Sequence, residues 1–333
     1  MKTTRTLFAI AVALSIAPAA QAQTKPASGM FFQRLAYLEA VRNAPADRKK
    51  DAKSVAEIIA ASEDGMLLAY TDGEQNGIGL IDLRDPAKPL PAGFIPVGGE
   101  ATSLVISHGK IIAAVDTTTD FAQPQGHLAV IDIPTRTVID RCKLHGQPDS
   151  VALDKKARQL VVVMENQRDE KRNKGAMPQY PGGTINILPV RAGVPDCTGM
   201  HPVSLTGLAD IATDDPEPEF VKVNSKGIAV VSLQENNHIA LIDVAKRKVI
   251  HHFSAGKVDL KEVDTRRDGV IAPKDALQGV LREPDAVAWL DDTRFVTANE
   301  GDYQGGSRGF SIWNVNGKVN TTAALSLTTK RFA

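Results

Sequence analysis

One phrase recurs in this chain: proline, an acidic residue, two β-rich runs, and then an acidic residue beside asparagine. It reads QPDSVALDKKARQLVVVMEN at 147–166, EPEFVKVNSKGIAVVSLQEN at 217–236 and REPDAVAWLDDTRFVTANEGD at 282–302. From the proline to the later glutamate the step is 17, 17 and 16 residues. Each copy is followed by a short apolar strand and a polar turn: GTINILPV, HIALIDVAKRK and GFSIWNVNGK. Two looser copies precede them, VAEIIAASEDGMLLAYTD with GIGLIDLRDPAK and ATSLVISHGKIIAAVD with HLAVIDIPTRT. Strands this short, rich in Val and Ile and bounded by Gly, Asp, Asn or Lys, leave no room for long helices. Five units of four strands predict an all-β fold, a β-propeller of four-stranded blades set radially. One blade cannot bury both its faces, so stacked neighbours must make the core. A β-sandwich rarely repeats one unit five times, and a β-helix has a shorter, more uniform period.

The position ending the second strand of each unit is Asp72, Asp116, Glu165, Glu235 and Glu300, at steps of 44, 49, 70 and 65. The first two steps suit an ordinary blade of roughly 40–50 residues. The longer two imply insertions, placed at 166–182, 191–202 and 254–279 and expected to be irregular. Residues 30–50 fit either a short helix or a strand completing the last blade, and the chain ends soon after the third strand of the fifth unit.

Residues 1–22 have the form of a secretory signal peptide: basic MKTTR, apolar LFAIAVALSIA, and Ala20-Gln21-Ala22 before the cut. Expected organisation is therefore signal peptide 1–22, an N-terminal segment 23–54 and a propeller over 55–333, in a periplasmic or secreted protein. No later segment reads as a membrane span. The chain carries 39 basic and 39 acidic residues and 5% aromatics. That balance argues against nucleic-acid binding and against a polybasic membrane surface. Cys142 and Cys197 are the two cysteines; an oxidising compartment permits their pairing, and sequence leaves paired and free forms open.

Strands of a blade run antiparallel from the central channel outward. The loop leading into the first strand and the loop joining the second to the third therefore share one face. Both acidic ends of the recurring phrase then reach one rim. Asp149, Glu165, Glu219, Glu235, Glu283, Asp285, Asn299, Glu300 and Asp302 become candidate metal ligands, because gathered carboxylates repel and a hard cation relieves them. Ca²⁺, which takes six to eight oxygen ligands, is the expected ion. Arg282, Arg308 and Lys222 lie near the same loops, and a cation with basic side chains suits a phosphate group. The competing reading is that each acid caps its own turn or pairs with a nearby base.

Other motifs weigh less. Gly305-Gly306-Ser307-Arg308-Gly309 matches G-x-S-x-G, but a loop precedes it and a strand follows, so it does not suit a nucleophile elbow. Asp72–Gly77 opens like a calcium loop yet has Leu83 at the twelfth position. The seven histidines are scattered and form no H-E-x-x-H pair.

EPDAVAW with FVTANEGD, set among apolar-Ile-Asp blades behind a signal peptide, resembles the secreted choice-of-anchor I family and the related esterase-like-activity-of-phytase group. Some members carry the name alkaline phosphatase. The likeness spans roughly residues 50–318, and its blade pattern is shared with YVTN-type, lactonase-like propellers. The resemblance implies seven blades and a metal-dependent phosphoester hydrolase, with Glu283, Asp285, Asn299, Glu300 and Asp302 at the site. In that reading Glu300 and Asp285 are ligand or general base, and the substrate is a small phosphorylated molecule. The chain departs from the family in lacking a later Glu-Pro-Glu-Gly-type corner. The alternatives are a non-catalytic propeller presenting its rim to a protein or glycan partner, and a lactonase-like hydrolase.

Overall fold

Within blades 1, 2, 4 and 5 each strand hydrogen-bonds to its neighbour in chain order, which is the blade topology expected of the repeat. The computed structural model describes residues 33–45, 53–266 and 268–324, with side chains up to 319. Five antiparallel sheets make a five-bladed propeller. Blade 1 is Ala56–Ala61, Leu67–Asp72, Gly77–Asp82 and Leu90–Pro96; blade 2 is Glu100–Ser107, Lys110–Asp116, Gly126–Asp132 and Thr137–Leu144. Blade 3 is Pro148–Asp154, Gln159–Met164 and Thr184–Arg191, closed by the short Val194–Pro195 and His201–Val203. Blade 4 is Pro218–Val223, Ile228–Leu233, His238–Asp243 and Lys248–Ser254; blade 5 is Pro284–Trp289, Arg294–Asn299, Gly309–Asn314 and Val319–Ala324. Below, strands are A to D from the inside outward. The signal-peptide region lies outside the described residues. No described helix is long and apolar enough to cross a membrane.

Three expectations are corrected. Blade 5 has its own fourth strand, Val319–Ala324, paired to Gly309–Asn314. Of the two forms open for residues 30–50, the described part takes the short helix, a 3₁₀ turn at Ala40–Asn43. Asn43 there donates to the Leu80 carbonyl (2.6 Å) and accepts from Gly93 N–H (3.0 Å), filling the bulge between strands C and D of blade 1. The insertion after blade 4 is a ribbon, Lys257–Val263 with Asp275–Leu281, because its charged residues alternate with Val and Leu at strand period. Within 191–202, the final residues begin the strand that closes blade 3.

Period-two alternation explains the fully apolar runs. In QLVVVM, Leu160, Val162 and Met164 pack toward blade 2, whereas Val161 and Val163 pack toward blade 4. Ile111, Ala113 and Val115 face blade 1 while Ile112 and Ala114 face blade 3. Blades 2, 3 and 4 are thus buried on both faces, and one apolar layer fills each of the four junctions between successive blades.

Hydroxyls stitch the inner strands across those layers. Ser103 Oγ accepts from Val151 N–H (3.2 Å), Ser150 Oγ from Val221 N–H (3.2 Å), and Ser232 Oγ donates to the Asp285 carbonyl (2.5 Å). Ser150→Ala leaves the buried Val221 N–H unpaired. It should lower stability by about 1–2 kcal/mol in urea unfolding, with the slope unchanged. Cys142, in strand D of blade 2, is disulfide-bonded to Cys197 in blade 3, with Cα atoms 5.7 Å apart.

Candidate functional site

The first strand of every blade carries one extra residue just after it starts. Pairing to strand B slips by one at Glu57–Ile58, Thr102, Asp149, Glu219–Phe220 and Asp285–Ala286. A β-bulge breaks the alternation and re-aims a side chain. Here it falls on an acidic residue in four of five blades, which is why the sequence repeats proline-acid at this point.

Strand B then returns the second acid to the same rim. The outcome is a cluster: carboxylate oxygens of Asp149, Glu165 and Glu219 lie within 4.8 Å of one another. Two come from blade 3, its bulge and the end of its strand B, and one from the bulge of blade 4. Asp285 and Glu300 of blade 5 follow round the ring, and Gln234 Nε2 donates to Glu300 Oε2 (2.9 Å). On the other side stand Glu57, Glu100 and Asp116, beside an open hollow of about 480 Å³ that Glu57, Glu74 and Glu100 line.

Mutual repulsion and burial disturb these acids strongly. Asp149 is pushed up to about 8, first by burial and then by Asp285, Glu57, Glu100 and Asp116. Glu165 is held well above the usual carboxylate range by burial, Asp149 and Glu235, against a smaller opposing pull from Arg168. Glu219 is raised likewise by burial, Glu165 and Asp149. Asp285 is raised to about 6 by burial and by Glu300. Oε2 of Glu219 is buried with no hydrogen-bond partner. The three clustered residues offer carboxylate oxygen alone, which suits a hard cation better than copper.

Several candidate residues stand elsewhere. Glu283 is fully buried and accepts from Gln304 N–H (2.9 Å), so it ties down the loop of its own blade. Asn299 spends its amide inside blade 5, accepting from Thr297 and donating to Ser311. Asp302 is exposed and pairs with Arg168 at 3.3 Å. Arg282 is buried; its guanidinium donates to the carbonyls of Ala255 (2.7 Å) and Lys257 (2.8 Å) and lies over Trp313. That work joins blade 4, the ribbon and blade 5 and leaves the rim. Lys222 sits near the far end of its strand with its ammonium over the Phe220 ring, 4.9 Å from the centroid. Arg308 is exposed in the loop that follows Asp302. Ser307 is buried and donates weakly to the Arg282 carbonyl (3.4 Å); an elbow would present it outward.

Arg168 and Glu57 were not among the candidates. Arg168 belongs to the long polar insertion of blade 3, where composition marks a loop but no role. It reaches Glu235 (3.7 Å) and Asp302 (3.3 Å) and lies over the Tyr303 ring, while Met177 N–H donates to Tyr303 Oη (3.2 Å). The insertion is thereby latched to the corresponding loop of blade 5. Glu57 occupies the same bulge as Asp149 but follows Ala56, so a search keyed on proline passes over it.

The choice-of-anchor I domain matches residues 57–305. Among solved structures, a protein of unknown function from Bacteroides caccae is 12% identical over 83% of this chain and 83% of that one, with a TM-score of 0.48. A chain of the crystal structure of the mitotic checkpoint complex is 10% identical over 83% of this chain and 69% of that one, with a TM-score of 0.54; at that identity the likeness is one of fold alone. No curated protein matches the sequence.

Proposed function

We propose that this chain, which belongs to the choice-of-anchor I domain family, binds a divalent cation, Ca²⁺, on its propeller rim and hydrolyses a phosphoester there. The observation that carries the reading is the convergence of Asp149, Glu165 and Glu219 from two blades to within 4.8 Å, with a buried oxygen left over. The residues fit the ion: all three offer oxygen, and the bulges that aim Asp149 and Glu219 are part of the fold. A bound cation supplies charge to a phosphoryl oxygen and a lowered pKa to a water. Asp285, raised to about 6, is partly protonated near neutrality and suits proton transfer at that water. Glu300 is held beside it by Gln234. Arg308, exposed on the neighbouring loop, is the basic group free to meet a phosphate dianion. Family membership fits an extracellular or surface setting, where free Ca²⁺ is abundant enough for a weak site.

The test is hydrolysis of a chromogenic phosphomonoester by protein stripped with chelator and resupplied with Ca²⁺, Mn²⁺, Mg²⁺ or Zn²⁺. Turnover should return with Ca²⁺ and fall to background in Glu219→Gln and Asp285→Asn. Calcium binding without turnover would instead favour a non-catalytic propeller that offers its rim to a protein or glycan. Turnover indifferent to chelator and to both variants would overturn the proposal.

A further inference from the structure

We propose that the rim holds two divalent cations, the second held by Glu217 and Glu235. This rests on the reading of Asp149, Glu165 and Glu219 as the first site. The observation behind it is an unsatisfied set of buried oxygens. Glu217 is fully buried and neither of its carboxylate oxygens accepts a hydrogen bond; Oε2 of Glu235 and Oδ1 of the equally buried Asp215 are also without partners. The amide donors beside them are committed elsewhere. Asn236 Nδ2 donates to the carbonyls of Ile211 (3.0 Å) and Asp215 (2.9 Å), and Gln179 N–H to Asp215 Oδ2 (2.6 Å). Arg168 approaches Glu235 through Oε1, not Oε2.

Comparison between blades explains why Glu217 is left over. The residue before the proline is Gln147 in blade 3, Glu217 in blade 4 and Glu283 in blade 5. Gln147 Oε1 accepts from Gln167 N–H (3.1 Å) and Glu283 Oε1 from Gln304 N–H (2.9 Å). In both blades a long loop between strands B and C folds back and supplies that N–H. In blade 4 strand B ends at Leu233 and strand C begins at His238, so the turn is too short to return a donor. The side chain is therefore buried without the structural task its counterparts perform. An unpaired buried carboxylate is strongly unfavourable unless something neutralises it. Glu217 and Glu235 lie within hydrogen-bond reach of each other, and one proton shared between them would still leave a Glu217 oxygen unpaired, whereas a cation completed by waters takes both carboxylates. Glu165 feels the charge of both Asp149 and Glu235, which makes it the acid common to the two clusters.

The experiment counts bound calcium in metal-stripped full-length protein after equilibration with Ca²⁺ alone, by mass spectrometry of the metal and by calorimetric titration. Two ions per chain are expected. Glu217→Gln, isosteric and neutral, should leave one, Asp149→Asn should leave the other, and the double variant should bind none, each checked for native circular dichroism. Should Glu217→Gln fail to fold, Glu235→Gln and the wild-type count decide. One ion in the wild type, indifferent to Glu217→Gln, overturns the second site and leaves the first standing. No ion at all overturns both.

Discussion

Saturating Ca²⁺ is expected to raise the melting temperature of the metal-stripped protein by about 5–10 °C at pH 8, and by much less at pH 5. The size follows from linkage: a ligand at a hundred times its Kd stabilises by about 2.7 kcal/mol, and each kcal/mol moves a domain of this size by about 2–4 °C. The pH dependence follows from the signs of the shifts. Asp149 is raised from the usual aspartate value to about 8, and Asp285 to about 6. Well below the ordinary aspartate value of 3.8 both are protonated whether folded or unfolded and cost nothing. As pH rises the unfolded chain releases these protons first, so folding is progressively penalised, through about 6 for Asp285 and about 8 for Asp149. Without a cation the protein should thus lose stability from pH 5 to pH 8. Calcium displaces the protons and removes that loss, so its benefit grows over the same interval. Thermal melts at three pH values, with chelator or Ca²⁺, measure this directly. A calcium increment of equal size in Asp149→Asn and wild type would mean the ion acts elsewhere.

How much of this was legible in the sequence depends on what each residue is spaced against. The five blades were, because Val-Ile runs and turn residues recur at strand and blade period whatever their neighbours do. The rim was legible at Asp149, Glu165, Glu219, Asp285 and Glu300, where two acids bracket one hairpin and topology returns both to one face. The bulge was not. It is a one-residue slip in pairing, and nothing in Pro-Asp-Ser or Pro-Glu-Phe alone says which residue falls out of register. That is why Glu57, which shares the bulge but not the proline, went unread. Glu283 and Asn299 show the opposite limit. They sit one or two residues from Asp285 and Glu300, and only the fold reveals that a backbone N–H holds one oxygen of Glu283 and that Thr297 and Ser311 hold the amide of Asn299. Arg168 depends on where an 18-residue stretch from Glu165 to Gly182 crosses the rim, which local composition does not encode.

Gly183→Ala should lower stability by about 3 kcal/mol and weaken calcium binding at least tenfold, although the residue carries no side chain to contact the ion. Gly183 follows the latched insertion and precedes strand C of blade 3. A Cβ built there would lie 2.3 Å from the carbonyl oxygen of Met164, 2.5 Å from that of Glu165 and 2.5 Å from Cδ of Pro218. None of these atoms is the end of a flexible side chain, so backbone must move. Those that must move are the residue beside Glu165, Glu165 itself and the proline immediately before Glu219. The same contact recurs one junction earlier, where a Cβ on Gly126 would meet Cδ of Pro148 at 2.2 Å, next to Asp149. Glycine on one blade and proline on the next thus set the distance between successive bulges, and with it the separation of the carboxylates. The informative comparison is Gly65→Ala, at a turn where a Cβ would meet nothing within 4 Å; its φ of 72° makes the substitution strained but keeps that strain away from the rim. Urea unfolding should register a loss in both variants, whereas calcium titration should weaken only in Gly183→Ala. Equal calcium affinity in the two would show that the blade junction does not tune the site.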